Sequence, residues 1–409
     1  MNIQVSERLK SLPPYLFGKL NSLTAQMRRD GRDIVDLGMG NPDKAAPEDV
    51  IEKAREVLTD PKAHRYSSSS KGIPQLLNEA SKFYRNKYGV SLQPDEEIIA
   101  TIGSKEGISH LSLALLGPGN SVLVPSPSFP IHIWSAIIAG ANVITVPIGR
   151  DQDSFISNLF STYQMLWPKP KLLFLNFPHN PTATVVEREF FAEIVKFALK
   201  NEVILVNDFA YADITFDGHK STSLLEVPDA RKVGVEFISM SKSFSMAGWR
   251  IGFCLGNPAI IKALEKIKGY YDYGIFTAIQ VGAIIALRKH WKDTPAHYAS
   301  IYQSRRNILV DGLNRAGWQI AKPQATMFVW APIPEKYRHV GSIRFCQFLL
   351  RESEVCVSPG IGFGKEGEGF LRIALVENEE RTQQAVRQIR RALQNTSPDK
   401  IMDTYRSSF

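Results

Sequence analysis

Between about residues 95 and 255, short apolar runs alternate with longer stretches whose apolar positions recur at helical spacing. "EIIATI" is followed by "SKEGISHLSLALL", then come "SVLVPS", "SAIIAGA" and "VITVPI". Further on lie "KLLFLNF", the helix-like "EREFFAEIVKFALKN", "VILVND", "VEFISM" and "RIGFCLG". Strands alternating with helices predict an α/β layer with a largely parallel sheet. The runs are rich in Val, Ile and Leu on both faces, as a sheet covered by helices on two sides requires.

The pattern changes after about residue 290. A long helical segment, "PAHYASIYQSRRNILVDGLNRAG", leads to the strand-like "ATMFVWAPI" and the helix "SIRFCQFLLRES". The apolar "VCVSPG", the strand "GFLRIALV" and a last helix complete a smaller α+β unit. These shifts predict a large domain over 46–288 and a small one built from 1–45 and 289–409, with an N-terminal arm. No internal repeat or low-complexity segment interrupts the chain, and the last dozen residues are expected to be weakly ordered.

Composition narrows the partners. The chain has 409 residues, 44% hydrophobic and 22% charged, within the range of globular proteins. "GIFTAIQVGAIIAL" is too short and too polar to span a bilayer, and "MNIQVSERLKSLPPYLF" lacks the apolar run of a signal peptide. Cys254, Cys346 and Cys356 form neither a disulfide framework nor a metal-ligand spacing. A reduced, cytoplasmic protein without membrane partners or a metal is expected. The net charge of +8 is spread along the chain. Its densest cluster, Arg387, Arg390 and Arg391, has the spacing of a helix's wet face, and no nucleic-acid partner is expected.

Four polar elements fall at predicted strand ends, where open α/β sheets place their ligands. In "TIGSKEGISHL", Ser104 and the helix start offer an anion site or simply an N-cap. Asn180 in "NFPHNPTA" fits a turn, and Asp208 in "VNDFAYADI" fits a cap of the next helix. In "SMSKSFSMAGWRIGF", Lys242 stands among hydroxyls and close to Arg250. Each element has a bland explanation alone. Together they supply a phosphate nest, an acid for a ring nitrogen and a lysine for an aldehyde, the needs of pyridoxal 5'-phosphate.

At these residues the chain resembles the fold-type-I pyridoxal-phosphate aminotransferases of class I/II, over essentially its full length. The resemblance rests on the 239–252 motif with "HNPT" at 179–182, "NDFAY" at 207–211, "RYSSSSKGIPQL" at 65–76 and "FLRIAL" at 370–375. "LPPYLF", "MGNPD" and "VCVSPGIGFG" are similar to the alanine (glutamate–pyruvate) and LL-diaminopimelate aminotransferase branch. The resemblance implies a three-layer α/β/α large domain, a homodimer with shared sites, and transfer of an amino group between an L-amino acid and a 2-oxo acid. Alanine with 2-oxoglutarate, and glutamate with pyruvate, form the expected pair. LL-diaminopimelate or aspartate transamination, or β-elimination by a lyase, are the alternatives.

It also implies roles. Lys242 would bind the cofactor aldehyde and carry the proton, Asp208 would pair the pyridine nitrogen, and Tyr211 and Asn180 would bond the phenolic oxygen. Phe129 would stack on the ring. Ser104, Lys105, Ser239, Ser241 and Arg250 would hold the phosphate, with Tyr66 supplied by a second subunit. Arg372 would clamp the substrate α-carboxylate, near the Gly40 backbone and beneath Tyr15. Three positions depart from the family pattern: Phe129 lacks the ring-edge polar group of Tyr or Trp, Ala183 replaces a glycine, and Thr277 stands where diaminopimelate enzymes carry asparagine.

Overall fold

The computed structural model describes residues 3–13 and 16–405. Twelve strands are described: β1 (Val35–Asp36), β2 (Ile98–Thr101), β3 (Ser121–Ser126), β4 (Asn142–Pro147), β5 (Leu172–Leu175), β6 (Ile204–Asp208), β7 (Gly234–Ser239), β8 (Gly252–Gly256), β9 (Phe328–Pro332), β10 (Val355–Cys356), β11 (Ser358–Pro359) and β12 (Phe370–Ala374). Seven of them make one sheet in the order β2-β8-β7-β6-β5-β3-β4. Only β8 runs against its neighbours, pairing antiparallel with both β2 and β7.

The two-sided burial predicted from the Val/Ile/Leu runs is what holds this sheet. Ile99, Val122, Val124, Leu172 and Phe174 pack into one core. Their immediate neighbours go to the opposite face: Ile98 and Ala100 into a second core, Leu123, Leu173 and Leu175 into a third. Alternation along the pleat with apolar residues on both sides is the signature of a covered sheet. Helices Ser104–Leu115, Pro258–Tyr271 and Pro74–Tyr88 supply much of the cover.

This topology makes one productive edge. The parallel strands deliver their C-terminal ends there, so β6 ends in Asp208 and β7 in Ser239. Because β8 is antiparallel, it starts at that same edge, with Gly252 opposite both Ser239 and Thr101. Arg250, two residues earlier, therefore arrives beside the helix start at Ser104.

The C-terminal third forms a three-stranded antiparallel sheet, β11-β12-β9, and β1 pairs in parallel with β10. β1 of the N-terminal segment thus lies against a strand of the C-terminal third. Their core gathers Val329, Ala331, Leu371, Ile373, Phe345, Phe348 and Trp318. The expectation of a weakly ordered C-terminus needs correction for its described part: Pro398–Thr404 is helical, capped by the Ser397 hydroxyl, with Ile401 fully buried, while residues 406–409 lie outside the described residues. Burying that one side chain contributes about 1.5–3 kcal/mol, enough to dock a single turn or two of helix. No helix among the described residues is long and apolar enough to cross a membrane.

Candidate active site

At the productive edge lies a cavity of about 420 Å³, bounded by strand ends of the large sheet on one side and by β9 and β12 on the other. Gly40, Ser104, Lys105, Phe129, Asn180, Asp208, Tyr211, Ser239, Ser241, Lys242, Arg250 and Arg372 all line it. Residues more than 300 positions apart in the chain therefore meet in one space. Tyr66 does not line it: it is 88% exposed, with its ring edge-on to Tyr273 at 5.8 Å. Tyr15 lies outside the described residues.

The capping explanations for these residues fail. The helix Ser104–Leu115 has Gly103 at its N-cap and no side-chain cap, and the Ser104 hydroxyl turns instead to the Ile238 carbonyl at 3.4 Å. Its first backbone N–H groups are left for a ligand. Gly103 sits at φ +74, and a Cβ there would stand 2.6 Å from Arg250 Nη2. Only glycine lets the guanidinium lie against this helix start. Arg250 itself adopts the left-handed region at φ +54, a strained geometry that surrounding structure must hold.

Asp208 caps nothing either. His132 Nε2 lies 3.0 Å from its Oδ2, while Oδ1 is buried with no hydrogen-bond partner among the described residues. His132 Nδ1 faces the Ser128 hydroxyl at 3.1 Å, so the tautomer that donates from Nε2 accepts from Ser128. Asn176 adds a bond from Nδ2 to the Asp208 carbonyl at 2.5 Å.

Lys242 Nζ donates to the Gly40 carbonyl at 2.6 Å. Burial, reinforced by the charges of Arg372 and Arg250, pulls its pKa down from 10.5 to about 7. An amine so shifted is substantially neutral near neutral pH and able to act as nucleophile or base. Opposite it, Arg372 is clamped between two aromatic faces, its Cζ 4.2 Å from the Phe328 centroid and 4.6 Å from that of Phe363. Nη1 donates to Asn180 Oδ1 at 3.0 Å and Nη2 to the Gly38 carbonyl at 3.1 Å. Asn180 in turn donates to the Tyr211 hydroxyl at 3.4 Å, linking the two halves of the cavity. Burial raises the Tyr211 pKa, so the phenol stays protonated.

Sequence reasoning missed His132, Asn176, Phe328 and Phe363. His132 had a signal, since it follows Phe129 by three residues across the first turn of a helix. Phe328 and Phe363 carried none, because only the fold sets them on either side of Arg372.

Similarity to known proteins gives the family of the chain. Residues 32–389 match the model of the aminotransferase class I and II family. The chain belongs to that family. It is 49% identical to the glutamate–pyruvate aminotransferase AlaC of Escherichia coli K12, over 94% of this chain and 92% of that protein. It is 39% identical to the LL-diaminopimelate aminotransferase of Moorella thermoacetica, over 96% of this chain and 99% of that one. Among solved structures, substrate-bound BacF from Bacillus subtilis superposes with a TM-score of 0.87 at 33% identity, covering 96% and 98% of the chains. Aspartate aminotransferase from Thermotoga maritima gives 0.86 at 28% identity, covering 96% and 100%.

The aminotransferase depends on pyridoxal phosphate, as its family does, and the cavity fits that group. The buried, unpartnered Asp208 Oδ1 suits a protonated ring nitrogen, and the uncapped helix start beside Arg250 suits a phosphate dianion. The fold is that of the fold-type-I enzymes, an α/β large sheet with a smaller α+β portion.

Proposed function

We propose that this enzyme exchanges an amino group between alanine and 2-oxoglutarate, with glutamate and pyruvate as the products and the reverse substrates. The 49% identity to a glutamate–pyruvate aminotransferase is the observation that carries the substrate pair. When bound, pyridoxal phosphate supplies an aldehyde that condenses with amines and a protonated pyridine that withdraws electrons. The chain's own residues do the rest. Lys242 holds the cofactor in the resting enzyme and later removes and returns the proton at the substrate Cα. Asp208 keeps the pyridine nitrogen protonated, and His132 holds the carboxylate in place through the 3.0 Å contact. Tyr211 and Asn180 receive the phenolic oxygen, and Phe129 packs on the ring. Ser104, Lys105, Ser239, Ser241 and Arg250 hold the phosphate. Arg372, fixed between Phe328 and Phe363, presents its fork to the α-carboxylate of either substrate, beside Gly40. One clamp for both substrates predicts ping-pong kinetics.

The domain division at 46–288, with 1–45 and 289–409 forming the other part, belongs to the same reading. So does a cytoplasmic homodimer. Tyr66, Tyr270, Tyr271 and Tyr273 are more than half exposed, a concentration of aromatic surface that a second copy would cover while carrying Tyr66 to its neighbour's phosphate. Sedimentation at micromolar concentration checks it: a monomer would leave Tyr66 without a role.

The direct test is the absorption spectrum of the purified holoenzyme, with L-alanine, L-glutamate, L-aspartate and LL-diaminopimelate added separately. Conversion of the cofactor band by alanine and glutamate supports the pair, and conversion by diaminopimelate alone overturns it. Pyruvate release from cystathionine without an oxo-acid acceptor would reveal a lyase instead.

A further inference from the structure

Segment 36–45 touches both cations that the proposed reaction uses. The Gly38 carbonyl accepts from Arg372 at 3.1 Å, and the Gly40 carbonyl accepts from Lys242 at 2.6 Å. Three residues beyond Gly40, after Pro42 with its fixed φ, stands Asp43. Both of its oxygens are taken by Arg305, Nη1 to Oδ1 and Nη2 to Oδ2, each at 2.8 Å. Arg305 is fully buried in the helix Asp293–Arg315, and its Nη1 also donates to the Leu375 carbonyl at 3.1 Å, just beyond β12 and its Arg372. This bidentate pair ties the segment to the element that carries the carboxylate clamp.

We propose that the Arg305–Asp43 fork is a positioning device for the reaction, setting where the Gly40 and Gly38 carbonyls meet Lys242 and Arg372. Neither residue of the fork lines the cavity, so it acts only through the segment. The inference rests on the proposed roles of Lys242 and Arg372. A rigid, two-point Arg–carboxylate bond is the appropriate anchor, because a point-charge substitute such as lysine keeps the attraction but not the orientation. Phe328 fixes the opposite side: a Cβ on Gly40 would lie 2.5 Å from its Cζ, so the segment has no room to drift inward. Loosening the fork therefore moves the Gly40 carbonyl away from Lys242. That withdraws a hydrogen-bond acceptor from the ammonium form and favours the neutral amine. The other charged or titratable groups around Lys242 are Arg372, Arg250, Lys105, Asp208 and Tyr211, and of these Arg372 is bonded to the same segment through the Gly38 carbonyl.

The molecule contains its own control. The next residue of the same helix, Arg306, forks Asp217 through Nη1 to Oδ2 at 2.5 Å and Nη2 to Oδ1 at 3.0 Å. Arg306 is also buried, but Asp217 belongs to a surface turn that contributes nothing to the cavity. The experiment compares Asp43→Asn and Arg305→Lys with Asp217→Asn and Arg306→Lys. Three readouts are needed: melting temperature, KM and kcat for the holoenzyme, and competitive acetic anhydride labelling of Lys242 against pH in cofactor-free protein, read by peptide mass spectrometry.

Both pairs should lower the melting temperature. Only the Asp43 and Arg305 variants should raise KM, by about tenfold or more, and move the Lys242 labelling midpoint to lower pH. If all four variants change melting alone, the fork is structural and the inference falls. Asp43→Asn, being isosteric, keeps the test decisive should Arg305→Lys fail to fold. Failure of the functional reading looks different: Lys242→Ala would then retain turnover.

Discussion

Two buried carboxylates on neighbouring strands show how this fold separates scaffold from chemistry. Glu236, mid-strand in β7, is fully buried and saturated. Tyr84 Oη donates to it at 2.6 Å, Asn207 Nδ2 at 2.7 Å and the Leu224 N–H at 2.8 Å, with the Ser223 hydroxyl as a fourth donor. Asp208, at the end of β6, keeps one oxygen without a partner and faces the cavity. Burial costs both groups solvation. The protein offsets that cost internally for Glu236 and leaves it open at one oxygen of Asp208, where the proposed function places the cofactor. A satisfied buried charge reads as structure and an unsatisfied one in a cavity reads as function.

Substituting each acid should split the two roles, with the largest effect on Asp208. Asp208→Asn is expected to cost about a hundred- to a thousandfold in kcat, typical of losing a preorganised charge, while melting of the cofactor-free protein changes little. Steady-state kinetics beside calorimetry checks this, and a variant that turns over normally would break the contrast. Next comes Arg372→Lys, which keeps the charge and loses the fork. Its kcat/KM should fall by about 2–4 kcal/mol for both amino acids and oxo acids, measured on alanine and 2-oxoglutarate in turn.

Glu236→Gln should spare kcat per folded molecule and instead cost about 1–3 kcal/mol in urea unfolding, since each carboxylate oxygen accepts from two of the four donors and the amide nitrogen that replaces one of them accepts none. The pH dependence sharpens it. Burial raises the Glu236 pKa above its ordinary 4.5 against the pull of its donors. The folded state thus favours the protonated acid, and that contribution is fully present below about 4.5 and lost as pH rises through the folded value. The wild type should show this decline and the Gln variant should not.

The smallest effect belongs to Ala183, which holds φ +59, a region that glycine enters without a Cβ penalty. A left-handed alanine costs about 1–2 kcal/mol, and glycine gives back part of that through unfolded-chain entropy. Ala183→Gly should therefore raise stability by about 0.5–1 kcal/mol with kcat unchanged. A drop in stability would mean that the Ala183 methyl, only 6% exposed, packs for more than its backbone strain costs.

The alternating apolar runs identified the covered sheet because burial on both faces leaves a local, strand-by-strand record in residue type. The motifs around Ser104, Asn180, Asp208 and Lys242 were legible for a related reason: strand ends are where a parallel sheet collects its ligand residues. Other features left no local mark. Pro398–Thr404 read as a loose tail because its single anchoring side chain, Ile401, has value only against a core 50 residues away in the chain. Arg305 and Arg306 stand side by side in a long helix with no motif around them, yet both are buried on an aspartate.

The sequence by itself determined the class of fold, the family and the charged groups that face the cavity, Lys105, Asp208, Lys242, Arg250 and Arg372, since residue type and local spacing encode chemistry and strand periodicity. The tertiary structure alone decided which groups are left unsatisfied. Whether an acid caps a helix, fills a network like Glu236 or waits like Asp208 depends on partners brought from distant strands. The same holds for Lys242, whose depressed pKa comes from burial and from two arginines that only folding places nearby.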